Sequence, residues 1–278
     1  MKKLALVLGG GAAKGYAHIG VLKVLEKHGI KPDLIVGTSM GALVGGMYAA
    51  GKSVEDMANL GRKFNSIGNF SLISALFKGN LINTSRVKKI LDRELGEITH
   101  ENCPIKFVSI AAELTTGDEK HFTSGLMRES IMASISIPGV FPSVQIGENS
   151  YCDGGILNNL AENVAREIMP DAVVVSVDVL GDYKKIYEKS KFKILSTFIN
   201  ANTLMLTNAV KNKPVLADVR ITVTQPTVHQ LDFSSKNVNR IISHGVKEAN
   251  KKIKEIKSLL GDTNEKTIKT NSKRINKR

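Results

Sequence analysis

Three observations predict an α/β fold for this 278-residue chain. Strand-like and helix-like runs alternate along the sequence instead of segregating into blocks. The run Ala172 to Val177 is short, continuous and apolar, as expected of a strand buried on both faces of a parallel sheet. Two glycine-rich turns, Gly9 to Gly15 and Gly37 to Gly41, each join an apolar run to a helix-like one.

In order, residues 4–8 read as the first strand and Gly9 to Gly15 as the loop after it. Tyr16 to His28 spaces Ala17, Val21, Val24, Leu25 and His28 for burial on one helix face and closes at Gly29. Residues 33–36 form the second strand, and a helix lined with small side chains runs from Ser39 to about Gly51. Ser53 caps a helix reaching about Leu60. The stretch Asn65 to Asn83, broken by Gly68, Gly79 and several asparagines, reads as a surface loop or a mobile cover over a site. A helix follows from Thr84 to Leu95, then a strand from Ile105 to Ala111. The turn Thr115 to Glu119 returns Lys120 to Thr123 alongside that strand. Leu126 to Ser134 is helical and stops before Pro138; residues 143–152 form a hairpin around Gly147-Glu148-Asn149. Helices are expected over Leu160 to Ile168, Phe192 to Val210 and Asn237 to Leu260, with a late strand from Asp218 to Val223. No linker or repeat interrupts the pattern, which predicts one domain over residues 1–261 and a basic, disordered tail over 262–278.

The apolar content of 42% is ordinary for a folded protein, and no stretch approaches the roughly 20 apolar residues of a membrane span. The opening Met1-Lys2-Lys3 has the charge of a signal peptide, but the apolar run behind it is too short and enters a glycine loop. Two cysteines, Cys103 and Cys152, form no metal-ligand spacing, and the expected compartment is the reducing cytoplasm. The net charge of +13 is uneven: residues 247–278 hold eleven Lys/Arg against four Asp/Glu. Such an excess attracts polyanions, including the anionic face of a membrane. No zinc-finger spacing or aromatic-and-basic interleaving accompanies it, so specific nucleic-acid reading is not expected.

The chemistry centres on Gly37-Thr38-Ser39-Met40-Gly41. A serine on a sharp strand-to-helix turn is held in a fixed pose, and flanking glycines relieve the crowding of the turn. The backbone amides that start the next helix, beginning at Met40, point towards negative charge. An ordinary N-cap serine is the structural alternative. A serine hydroxyl needs a base, and acyl transfer needs donors aimed at the developing oxyanion. Gly9, Gly10 and Gly11 follow a strand and can offer uncovered amides as such a nest. The same loop lacks the sequence of a nucleotide-triphosphate loop. As a dinucleotide loop it has Lys14 where the last glycine belongs, although Asp33 stands near the position of a ribose partner.

The candidate base is Asp153, at the end of a hairpin strand and followed by Gly154-Gly155. A carboxylate whose pKa is kept from falling too low can take the serine proton directly. The alternative is a triad with His229 or His244, neither of which has a distinctive setting. His18, on a helix beside Leu22 and Leu25, reads as a core or supporting residue sooner than a site contact.

Gly9-Gly10-Gly11-Ala12-Ala13-Lys14-Gly15, Gly37-Thr38-Ser39-Met40-Gly41, the span Ala133 to Pro142 and then Asp153-Gly154-Gly155 occur in the order found in patatin-like phospholipases. The chain resembles that family strongly over about residues 4–178 and more weakly to about 260. The resemblance implies a three-layer α/β/α sandwich with a central, mostly parallel sheet. It implies a lipid acyl hydrolase with a Ser–Asp dyad, no cofactor and no metal: Ser39 as nucleophile, Asp153 as base, and the amides of Gly9–Gly11 as oxyanion hole, to which the helix start read above adds the amide of Met40. Lys14 stands where the family commonly has arginine, and is expected to position a substrate phosphate or a nearby carboxylate, or else to be a solvated loop lysine. Ala161 stands where the family has a proline. The implied partners are a phospholipid, a lysophospholipid or another acyl ester, with peripheral contact to an anionic membrane. A non-catalytic anion-binding or regulatory protein on the same scaffold is the competing reading.

Overall fold

The computed structural model describes residues 2–66, 84–181, 193–224 and 233–261. Most of the stretch read as a loop or cover (67–83), His229 and the tail 262–278 lie outside the described residues. The strands are β1 (Leu4–Leu8), β2 (Leu34–Thr38), β3 (Lys106–Glu113), β4 (Glu119–Phe122), β5 (Val144–Ile146), β6 (Asn149–Asp153), β7 (Val173–Asp178) and β8 (Val219–Thr222). Between them run α1 (Ala17–Lys27), α2 (Met40–Ala49), α3 (Val54–Ser66), α4 (Ser85–Leu95), α5 (Met127–Ser134), α6 (Gly155–Asn158), α7 (Glu162–Ile168), α8 (Lys193–Lys211) and α9 (Ser235–Leu260).

The sheet order is β5-β6-β3-β2-β1-β7-β8, with β4 on the free edge of β3. Strands β3, β2, β1, β7 and β8 are parallel, whereas β4, β5 and β6 are antiparallel additions. Alternation along each strand divides the core. Leu4, Leu6, Leu8 and Ile35 pack with α1, α2 and α9 on one face; Ala5, Val7, Leu34 and Val36 pack with Leu160, Val164 and Ala165 on the other. The result is the three-layer α/β/α sandwich with a mostly parallel central sheet.

One handover in the sheet sets up the site. Ser109 and Ile110 of β3 pair with β2 on one edge and with β4 on the other; Ala111 and Ala112 pair with β4 and with β6. Strand β6 therefore takes over the edge of β3 where β2 ends. Thr38 sits opposite Ile110 and Asp153 opposite Ala111, one step further along. Ser39, next after Thr38, and Asp153, 114 residues apart in sequence, thus meet at the end of β2.

Two boundaries differ from expectation. Helix α3 continues through Gly61 to Ser66, past the predicted end near Leu60. Gly61 does not stop the helix because it serves packing: a Cβ there would lie 2.7 Å from the Tyr16 ring. The expected helix from Leu160 starts at Glu162, after the short helix α6, which the pattern did not reveal. Ser53 caps α3 as expected, its Oγ accepting the Asp56 amide at 3.1 Å. Helix α9 crosses α1 closely, since a Cβ on Gly245 would sit 2.0 Å from the Ala17 carbonyl oxygen. No described helix is long and apolar enough to cross a membrane.

Candidate active site

Ser39 occupies the turn between β2 and α2 with φ 55° and ψ −123°, a left-handed backbone that a non-glycine residue adopts at some cost. The turn is held from several sides. The Ser39 amide donates to Ser134 Oγ at 2.9 Å, and Ser134 Oγ donates onward to the Ile110 carbonyl at 2.6 Å. Thr38 Oγ1 donates to the Asn158 carbonyl at 3.0 Å. The glycine at position 41 has a steric cause: a Cβ there would lie 2.0 Å from the Leu8 carbonyl oxygen, so α2 could not start this close to β1.

Asp153 is brought to Ser39 by the handover from β2 to β6. Ser39 Oγ donates to Asp153 Oδ2 at 2.5 Å, and the Gly155 amide donates to Asp153 Oδ1 at 2.8 Å. The Asp153 amide donates to the Ser136 carbonyl at 2.9 Å. One short segment, 134–136, therefore steadies the backbone of both residues. Burial disfavours the charged carboxylate and pushes Asp153 up to about 6, against the opposing pull of the bonds from Ser39 and Gly155. Both residues are 5% exposed.

The glycine loop differs from its expected use. The Gly9 amide donates to the Val177 carbonyl at 3.1 Å and the Gly10 amide to the Asn159 carbonyl at 3.2 Å. Both are committed within the fold and do not offer free donors; the reason is that β7 and the chain after α6 run alongside the loop with carbonyls to be satisfied. Among the described residues, no acceptor is found for the amides of Gly11 and Met40. The loop nonetheless abuts the serine, because a Cβ on Gly10 would lie 3.0 Å from Ser39 Cβ and 2.4 Å from Asn159 Oδ1. Asn159 clamps Gly10 twice, as its Nδ2 also donates to the Gly10 carbonyl at 3.3 Å. His18 is fully buried and donates from Nε2 to the Gly9 carbonyl at 2.8 Å. Burial lowers it to about 4, so it is a neutral support for the loop. Lys14 is wholly buried, which excludes the solvated-lysine reading, and its side chain is not part of the cavity at Ser39. His244 lies half-buried on α9.

Sequence reasoning did not single out Ser134 or Asn159 as supports. The signal available was faint: polar residues inside otherwise apolar stretches, next to the motifs.

Ser39 opens into a cavity of about 1070 Å³, counted with its mouth. Its walls come from Tyr16 and Ile19, from the face of α2 bearing Met40, Leu43, Val44 and Met47, from α3 and α4, and from residues 135–141. Apart from the hydroxyls of Ser39 and Tyr16, the lining side chains are hydrocarbon or thioether.

A three-layer sandwich whose left-handed, glycine-flanked serine turn touches a buried aspartate defines the class of α/β protein to which this chain belongs. The patatin-like phospholipase pattern matches residues 6–166, more than half of the chain, and the chain belongs to that family. An uncharacterized NTE family protein of Mycobacterium tuberculosis is 37% identical over 183 residues, covering 64% of this chain and 30% of the relative. The lysophospholipase nte1 of Emericella nidulans is 30% identical over 182 residues, covering 64% of this chain and 12% of the relative. The chain thus spans less than a third of the length of these curated relatives. The structure of VipD from Legionella pneumophila aligns over 94% of this chain and 67% of that one, with 14% identity and a TM-score of 0.49.

Proposed function

We propose that this protein is a serine acyl hydrolase that cleaves carboxylic ester bonds of phospholipids or lysophospholipids. The observation that carries the reading is the 2.5 Å hydrogen bond from Ser39 Oγ to Asp153 Oδ2 at the end of an apolar cavity. Ser39 Oγ attacks the acyl carbonyl while Asp153 takes its proton. The oxyanion is met by the amides of Gly11 and Met40, a narrower set than the three loop glycines and Met40. Collapse of the tetrahedral intermediate expels the alcohol, which leaves with the proton from Asp153, and the acyl group remains on Ser39. Asp153 then takes a proton from water as it attacks the acyl ester, and fatty acid departs with Ser39 restored. A carboxylate raised to about 6 is a better proton acceptor than an exposed one yet is largely ionised at pH 7.

Support comes also from the family match and from the relative named as a lysophospholipase. The same reading treats residues 1–261 as one acyl-hydrolase domain and 262–278 as a basic tail, in the cytoplasm with peripheral contact to an anionic membrane. Removing 262–278 is expected to weaken binding to anionic vesicles in low salt; unchanged binding takes the tail out of that contact.

Mass spectrometry of lipids exposed to wild type and to Ser39→Ala tests the main reading. Wild type is expected to release free fatty acid with a lysolipid, or with a glycerophosphodiester from a lysolipid, and Ser39→Ala to spare both substrates. Release of a phosphorylated headgroup without fatty acid would overturn it.

A further inference from the structure

The lining of the cavity is unevenly exposed. Ile137 and Phe141 are partly exposed, whereas Met47, Met57 and Leu91 are 4%, 4% and 1% exposed. Along α2 the lining follows one helix face, from Met40 beside Ser39 to Met47 near the end of the helix. At about 1.5 Å per residue, the path from Ser39 to Met47 is about 12 Å. A fully extended chain gains about 1.2 Å per bond, so about ten carbons fill that length.

The lining also selects what enters. With two hydroxyls among its side chains, the cavity offers a phosphate, a sugar or an ammonium group almost no partners, and burial of such a group unpaired is costly. Methionine is a flexible floor, able to settle against chain ends of slightly different length, but it occupies volume all the same.

We infer that Met47 and Met57 close a slot for one medium-length acyl chain and set its upper limit at about ten carbons. This rests on the acyl-hydrolase reading, and it adds the acyl length to it. Met47 and Met57 are specificity-determining residues here. They lie far from the reacting atoms and act on which chain fits.

Two measurements on the intact chain test this. The first is the profile of kcat/KM for p-nitrophenyl esters from C4 to C16 in wild type, Met47→Ala, Met57→Ala, Met47→Phe and the conservative Met47→Leu. In wild type the value should rise about fourfold per methylene to C8–C10 and then stop rising or fall. The ratio of C12 to C8 should increase about fivefold or more in either alanine variant, drop in Met47→Phe, and stay near wild type in Met47→Leu. The second needs no catalysis: saturated fatty acids from C6 to C16 displace a fluorescent fatty acid from Ser39→Ala protein, with affinity levelling off near C10. Ester hydrolysis that climbs unbroken to C16 in wild type, or variants with the wild-type profile, would overturn the slot while leaving the hydrolase reading intact. No hydrolysis at any length, no fluorophosphonate adduct on Ser39, and affinities that still level off near C10 would keep the slot and remove the hydrolase reading.

Discussion

The turn after β2 and the turn after β1 lie side by side and are both rich in glycine, yet one presents a side chain and the other presents backbone. In the first, Ser39 takes the left-handed conformation, and its hydroxyl reaches Asp153. In the second, Ala12 also has a positive φ, 47°, while the Gly9 and Gly10 amides are tied to Val177 and Asn159. Both turns put a non-glycine residue into strained backbone at the edge of the same cavity. The difference lies in what surrounds them. The serine turn is steadied by polar side chains that leave its hydroxyl directed at one partner. The glycine loop is steadied through its own peptide groups, which removes two of the amides that its composition advertises.

Breaking the serine turn should have the largest effect. Ser39→Ala is expected to lower kcat by about 10⁴-fold or more, and Asp153→Asn by a loss approaching it, measured on a short ester in folded protein. The two losses should not add, because the residues act as one unit. Asp153→Asn should also stabilise the fold. The carboxyl titrates at about 6 in the folded state, above its ordinary value near 4, so the folded state holds the proton more tightly. Stability therefore falls as pH rises from about 4 through about 6, and the cost is complete above that. Relieving it should raise stability at pH 8 by roughly 1–3 kcal/mol in denaturant titrations, with little gain at pH 4. A loss of stability at pH 8 would contradict a carboxylate whose two hydrogen bonds do not offset its burial.

Breaking the glycine loop should cost less. Gly10→Ala places a Cβ against Asn159 Oδ1 and Ser39 Cβ, and kcat should fall by about 10²- to 10³-fold as the loop shifts. An unchanged rate would mean that the loop position is irrelevant to the reaction. The acid side of the pH profile sharpens the comparison further. Between pH 4 and about 6, kcat/KM for a short ester should rise about tenfold per pH unit as Asp153 ionises, then level off. The smallest specific effect belongs to Lys14. Being buried and outside the cavity, Lys14→Ala should slow anionic phospholipid and neutral short-ester hydrolysis equally, through the loop. A loss confined to the anionic substrate would restore a direct contact with phosphate.

Much of this was legible in the sequence because it is local. Strand-to-helix turns, the serine motif and the Asp153-Gly154-Gly155 turn declare themselves within a few residues, and the order of elements follows the apolar periodicity. What was not legible depends on partners far away along the chain. The fate of the Gly9 and Gly10 amides is decided by carbonyls near residues 159 and 177, and the pose of Ser39 by a hydroxyl at residue 134. Gly61 looked like a helix end because its real constraint, the ring of Tyr16, lies 45 residues earlier. The cavity is less legible still, since its walls come from four helices and a loop that no local pattern relates.

The central claim is that Ser39 reacts with Asp153, and no histidine, as its base. Intact-protein mass spectrometry can follow the rate at which a fluorophosphonate labels wild type, Asp153→Asn and His244→Ala at pH 8. A single adduct on Ser39 is expected in wild type and, within about tenfold of the same rate, in His244→Ala, with labelling of Asp153→Asn slower by about 10³-fold. Labelling of Asp153→Asn at the wild-type rate, or its collapse in His244→Ala with the fold intact, would contradict the dyad.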